Sequence, residues 1–362
     1  MAKSEFSVKH EKGGERMNKK NGKTSVACSL FLIVILLFGT QSVASVFAKK
    51  PTVIYVENAT FGDYTYTYGK LGKAEYGLFM PEDNWNGMLV VFCRGHMSEM
   101  PHIPHDPSDP RLMMGRNFMT IALMNPLADG KRFAYAWSNY GEGGYCLKAG
   151  VLTTHQLTEY IIDQYDVPGK VFLLSMSMGG AVSLILAEKY PNLYSGVVDC
   201  TGVKSLSASY LHKATIASKT GIDDLLAYFM GYPANIAEEY LPEYEDEAEC
   251  LEYIAGAGET AEEMIEECGG TPDEKPQFYA RKSPLDNPEI SVPVITVHGT
   301  ADTQVPFSQS EEYRDAVNAV TEPDLCRLYA VEGAGHTSMA VYSQAIPRLF
   351  ELVMWSDMLD PP

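Results

Sequence analysis

Positive charge is scarce in this chain. Its 362 residues carry 28 Lys and Arg against 47 Asp and Glu, a formal net charge of −19. A surface of that sign repels phosphates rather than releasing counterions from them, which excludes nucleic acid as a partner. The seven cysteines include no close Cys-x-x-Cys pair, so the common zinc and redox motifs are missing. Glycines 141, 143 and 144 follow the strand-like Phe133–Ser138, but no long helix begins directly at them and no Gly-x-Gly-x-x-Gly turn is present. That removes the phosphate-cradling fingerprint, and no cofactor is expected. Nothing repeats at a fixed period.

Long apolar runs are also few. The one near the N-terminus, Val26–Phe38, follows Lys19, Lys20 and Lys23 and is short for a membrane span. Residues 1–48 read as a signal peptide, cut after Ala48 or Ala44, with Met17 as an alternative start. The expected location is therefore secreted or extracytoplasmic. The rival is an uncleaved signal anchor, the one route by which this protein would meet a membrane. Cys28 precedes most of the apolar run, which argues against lipid attachment there. Cleavage would remove seven basic and three acidic residues and leave a formal charge of −23.

What is present is a core-forming composition, 46% hydrophobic and 21% charged, enough for one large α/β core with an insertion. Its most informative stretch is Val171-Phe-Leu-Leu-Ser-Met-Ser-Met-Gly-Gly180. A buried strand breaks into a turn of small residues with Ser177 at the apex, and a buried helix follows until Pro191. Ser175-Met-Ser-Met-Gly179 has the Gly-x-Ser-x-Gly spacing, with Ser175 in place of the first glycine. Small side chains are needed there because strand and helix pass close together. Further along, the strand Val292–Val297 runs into His298-Gly-Thr-Ala-Asp302, and the strand Leu328–Val331 into Glu332-Gly-Ala-Gly-His336. Serine, aspartate and histidine thus follow in that chain order. His336 would take the proton of the Ser177 hydroxyl, while Asp302 fixes the imidazole tautomer and stabilises the imidazolium. Asp199 also ends a strand and is the alternative acid. His298 reads as a packing residue, since it ends its strand before Asp302.

The elbow and these two loops resemble the α/β-hydrolase superfamily, particularly its serine esterase and peptidase-like members, over about residues 75–202 and 290–350. The resemblance implies an α/β-hydrolase fold: a mostly parallel sheet with helices on both faces, an inserted helical cap, and the triad at the carboxyl ends of the strands. It further implies an oxyanion hole built from the backbone amide of Met178 and one from the Gly95-His96 turn. Where the family often has His-Gly after its third strand, Met88–Cys93 here runs into Arg94-Gly95-His96. Arg94 has a plainer reading, a salt bridge that pins the loop.

The remaining expectations concern partners and insertions. Residues 49–202 and 286–362 form the hydrolase core, and 203–285 are too long for one crossover, so they form a helical cap that shapes the pocket. From Asp223 to Glu274 the chain has seventeen acidic residues and no basic one. That charge reads as a solvated outer face, or as selection for a neutral or cationic small-molecule ester. Neither Glu243–Glu249 nor Glu259–Glu267 has the alternating spacing and central glycine of a calcium loop. Cys250 and Cys268 form the candidate disulfide of an exported protein, whereas Cys93 and Cys200 read as buried thiols. His102, His105, Asp106 and Asp109 are metal-ligand types, yet the prolines among them suit an extended pocket rim, and a serine triad requires no metal. The expected activity is hydrolysis of a carboxylic ester through an acyl-enzyme. A peptidase, an acyltransferase or a non-catalytic binding protein on the same fold are the alternatives.

Overall fold

Alternation along the strands dictates the architecture. The computed structural model describes residues 50–106, 109 and 130–359, so the expected signal segment and Pro107, Ser108 and Pro110 of the proline-rich loop lie outside the described residues. In β4 (Trp85–Cys93), the side chains of Leu89, Val91 and Cys93 enter one apolar layer and those of Val90 and Phe92 the other. In β6 (Val171–Met176), Val171 and Leu173 alternate with Phe172 and Leu174 in the same way. Strands buried on both faces read as continuous hydrophobic runs, which is why these were legible.

Seven further strands complete one sheet: β1 (Val53–Phe61), β2 (Tyr64–Leu71), β3 (Ala74–Pro81), β5 (Arg132–Ser138), β7 (Gly196–Cys200), β8 (Val294–Gly299) and β9 (Cys326–Val331). Their order is β1-β2-β3-β5-β4-β6-β7-β8-β9. Pairing is antiparallel from β1 to β5 and parallel from β5 to β9. Helices α1 (Leu147–Tyr165), α2 (Met178–Lys189) and α7 (Ser308–Val320) cover one face, and α8 (Ala345–Leu359) the other.

The buried face of α1 does not follow its apolar residues alone. Leu152 is exposed, while Thr153, Thr154 and Thr158 are buried beside Leu157 and Ile161. The hydroxyls of Thr153 and Thr158 donate to the carbonyls of Ala149 and Thr154, four residues back, at 2.8 and 2.9 Å. A threonine satisfied within its own helix can face the core, which a hydropathy pattern does not register.

Between β7 and β8 lie α3 (Leu206–Ala217), α4 (Ile222–Phe229), α5 (Glu247–Cys268) and the short α6 (Pro276–Ala280). Cys250, Ile254, Ala257, Ala261, Met264 and Cys268 form the buried stripe of α5 at alternating spacings of four and three. Asp246 caps its start through the amide of Glu249, and Gly269 ends it in the left-handed conformation. Glu252, Glu259, Glu262 and Glu266 point to solvent on the opposite side. This helix rules out the expected disulfide. Cys250 and Cys268 sit at its two ends, about 27 Å apart by helical rise, and both are free thiols. Among the described residues no helix is long and apolar enough to cross a membrane.

Candidate active site

Ser177 occupies the single residue between β6 and α2, with φ 52° and ψ −128°. That conformation is costly for a side chain bearing a Cβ, and it persists only because the surroundings fix it. The Ser177 amide donates to Cys200 O at 3.2 Å, and its carbonyl accepts from Gly180 at 2.9 Å and Val203 at 3.0 Å. Two residues on, a Cβ at Gly179 would overlap the carbonyl of Cys93 on β4. The turn is therefore glycine because the helix start touches the neighbouring strand.

The hydroxyl of Ser177 is 2.9 Å from Nε2 of His336, and Nδ1 of His336 is 2.7 Å from Oδ2 of Asp302. The three sequence-derived residues thus meet, from the loops after β6, β8 and β9. Asp302 is buried and its carboxylate is saturated. Oδ1 accepts the amides of Gln304 (2.8 Å) and Val305 (2.9 Å), while Oδ2 faces His336 and, at 3.0 Å, Nε2 of His298. Burial pushes the Asp302 carboxyl up, but the His336 and His298 imidazoles beside it outweigh that and hold it well below the usual carboxylate range. The acid and base loops are stitched together. Ala301 N donates to Ala334 O at 3.0 Å, Gly333 N to Thr300 Oγ1 at 2.9 Å, and Tyr342 OH to the carbonyl of His336 at 2.8 Å.

His298 does more than pack. Its Nδ1 lies 2.6 Å from Ser310 Oγ, while Nε2 faces both Asp302 and the carbonyl of Val305 at 3.0 Å. Two acceptors at Nε2 place a proton there, while the Ser310 hydroxyl, donor and acceptor both, engages Nδ1. Its spacing of four residues from Asp302 was the available sequence signal. The acid loop is gripped from outside too, since Tyr253 OH and His212 Nε2 both donate to Thr303 O, at 2.8 and 2.9 Å. Burial pushes His212 down to about 4.

The expected oxyanion donors flank Ser177. Met178 is the first residue of α2, where an amide has no intrahelical acceptor. A Cβ on Gly95 would stand 3.6 Å from Ser177 Oγ, so the Gly95-His96 backbone runs beside the hydroxyl. The His96 side chain turns toward α5, with Nε2 against Glu263 Oε2. Arg94 pins this loop, but not through the expected salt bridge. Its guanidinium donates to the carbonyls of Gly95 (2.9 Å), Asn139 (3.1 Å) and Glu142 (2.7 Å) and lies 4.4 Å over the Tyr140 ring. A planar fork with five donors suits a loop rich in free carbonyls.

Asp199, the alternative acid, has other partners. It is fully buried in an ion pair with Lys204 and accepts from Ser175 Oγ at 2.9 Å, and Ser183 Oγ is 2.8 Å from the same hydroxyl. Ser175 is thus part of a buried polar network under the elbow, and not merely a stand-in for glycine. Neither Lys204 nor this network was visible in the sequence.

A cavity of about 350 Å³ opens over Ser177 and His336. Its wall is mainly apolar, with Met176, Ile103, Trp137 and Met264 among the contributors, and it includes Ser209 and Lys213 of α3 and Thr260 of α5. Among the described residues no Asp or Glu lines it. Pro101, His102 and Ile103 of the proline-rich loop border it. His102 Nδ1 is 3.1 Å from Glu75 Oε2, and His105 stacks on Tyr68 at 4.2 Å. Among the described residues no three His, Cys, Asp or Glu side chains are grouped to hold a metal ion.

Residues 256–355 match the family model of the prolyl oligopeptidase family, a span that includes Asp302 and His336 and leaves out Ser177. A comparison with curated protein sequences gives no match. Among solved structures, the chain is similar to an esterase from Pyrococcus furiosus, at 14% identity and a TM-score of 0.50, over 84% of this chain and 91% of that one. It is also similar to an acylaminoacyl peptidase from Pyrococcus horikoshii, at 12% identity and a TM-score of 0.45. That alignment covers 90% of this chain and 43% of the peptidase, so this chain spans less than half the peptidase's length.

Proposed function

We propose that this α/β-hydrolase is an exported serine esterase that cleaves a small carboxylic ester through an acyl-enzyme on Ser177. The observation that carries the reading is the continuous relay of Ser177, His336 and Asp302, at 2.9 and 2.7 Å, open to a cavity. Ser177 Oγ–H donates to Nε2 of His336, so the imidazole receives the proton as the oxygen attacks the ester carbonyl. Asp302 holds Nδ1–H and offsets the positive charge that develops on the ring. The carbonyl oxygen becomes an oxyanion beside the Met178 amide and the Gly95-His96 backbone, whose dipoles are already oriented. His336 then gives its proton to the leaving alcohol, and a water repeats the sequence to release the acid.

A cavity of about 350 Å³ is at the small end of ligand pockets, which favours a short acyl group. Export rests on the basic and apolar segment at residues 19–38. The cap reading of residues 203–285 rests on Ser209, Lys213, Thr260 and Met264, which belong to that segment and line the cavity.

A second reading, a serine peptidase with the same triad, is favoured by the prolyl oligopeptidase match over Asp302 and His336. Purified protein assayed on 4-nitrophenyl esters from acetate to decanoate, beside peptide 4-nitroanilides, separates the two. Turnover confined to esters, best at short chain length, supports the esterase. Turnover of the anilides at comparable kcat/KM makes it a peptidase.

A further inference from the structure

Two side chains of the cavity wall, Arg94 and Lys213, are cations outside the triad; the Arg94 guanidinium is taken up by the carbonyls of Gly95, Asn139 and Glu142, whereas Lys213 has a single neutral partner among the described residues. It lies on α3 and is buried. Its Nζ donates to the side-chain oxygen of Gln304, and no carboxylate is within ion-pair distance of it among the described residues. An ammonium has three protons, so two N–H bonds have no acceptor among the described residues. Placing a cation in such a site is unfavourable unless something anionic meets it. Burial indeed pushes the Lys213 ammonium down to about 8, against a smaller opposing effect of Asp302.

The surrounding charges leave that role open. On one side Lys213 faces the cavity that holds Ser177, with no acidic residue in its wall among the described residues. On the other it borders a cleft lined by Tyr253, Glu259 and Glu263, where Glu263 is engaged by His96 and Glu259 is exposed. None of the acidic residues between 223 and 274 lines the cavity that holds Ser177. The wall that a substrate bound over Ser177 shares carries Lys213 instead.

We propose that Lys213 anchors a carboxylate carried by the substrate, so that the preferred substrates are short esters with a free acid group some atoms away from the scissile carbonyl. This deepens the esterase reading and rests on it for turnover. It reverses the expectation of a neutral or cationic substrate drawn from the acidic stretch. The acid group can belong to the acyl part or to the leaving alcohol, and both present the same chemistry to an ammonium.

The test compares 4-nitrophenyl hydrogen glutarate with 4-nitrophenyl pentanoate, which differ by an acyl-side carboxylate, and 4-(butyryloxy)benzoate with its methyl ester, which differ on the leaving side. The wild type should prefer the acid in one pair, and that pair identifies the source. Lys213→Met should lower the acid-to-neutral ratio of kcat/KM by about 10- to 100-fold, and Lys213→Arg should retain most of it. Binding is read separately by titrating glutarate monomethyl ester into Ser177→Ala and into Ser177→Ala/Lys213→Met. Heat on the first and none on the second supports the anchor even if no ester is turned over, an outcome that would remove only the esterase reading. A wild type that prefers the neutral ester in both pairs overturns the proposal. So does a Lys213→Met ratio equal to that of the wild type, or equal binding by the two titrated proteins. If Lys213→Met fails to fold, Lys213→Gln is held to the same ratio.

Discussion

His298 and His336 meet on one oxygen atom, Oδ2 of Asp302, at 3.0 and 2.7 Å. Because Nε2–H of His298 donates to the same oxygen, it fixes the direction in which Asp302 receives His336. His298 is a positioning residue, with no contact to the reacting hydroxyl. Replacing it by leucine should lower kcat about 10- to 100-fold with KM nearly unchanged, as for other groups that orient a functional side chain. Steady-state kinetics reads this directly, and a rise in KM with kcat preserved would show that His298 only shapes the pocket.

Asp302→Asn should lower kcat about 10⁴-fold, since an amide can present the wrong partner to Nδ1 and leaves the imidazolium without a counter-charge. Asp199→Asn should act on stability instead, its partners being Ser175 and Lys204. Equal losses of kcat in the two variants would reassign the acid.

Acid stability gives a second view of Asp302. Its folded carboxyl titrates below the unfolded value of about 3.9, so the stabilisation is fully present above that value and is lost as pH falls through the folded one. Urea midpoints measured from pH 6 downward should fall more steeply for the wild type than for Asp302→Asn. Parallel curves would mean that the carboxyl is not depressed in the folded state.

The network beneath the elbow predicts an asymmetry. Lys204→Met leaves the buried Asp199 charge uncompensated and should cost about 3–5 kcal/mol, whereas adding Asp199→Asn to it should recover much of the loss. Ser175→Gly, which restores the commoner pentapeptide, removes a donor to that carboxylate and should cost about 1–3 kcal/mol while leaving Ser177 reactive. Denaturant unfolding of the four proteins checks the order, and a double variant less stable than Lys204→Met would contradict it.

Much of this was legible because it is local. The strand, turn and helix around Ser177 announce themselves by an apolar run, small residues and a second apolar run, and the Asp302 and His336 loops each follow a strand. What was hidden depends on tertiary neighbours or on residue types that hydropathy misreads. β1 is an edge strand in which only Tyr55, Ala59 and Phe61 are partly buried, and its apolar run Val53-Ile-Tyr-Val56 shows no alternation to detect. The disulfide expectation failed because cysteine count and spacing do not reveal that both thiols ride on one straight helix. Arg94 found carbonyls and not a carboxylate, and Lys213 looked like any helix lysine until the cavity placed Ser177 in the same space.

The central claim, that Ser177 is the nucleophile of this relay, is tested most directly by covalent labelling. Ser177 and Ser175 are two residues apart, yet only Ser177 is within 2.9 Å of His336, while Ser175 is buried against Asp199. A fluorophosphonate probe followed by peptide mass spectrometry should place one adduct on Ser177. Ser177→Ala should abolish labelling and lower kcat on the order of 10⁶-fold with the circular dichroism spectrum intact. An adduct on Ser175, or turnover by Ser177→Ala near that of the wild type, would contradict the account.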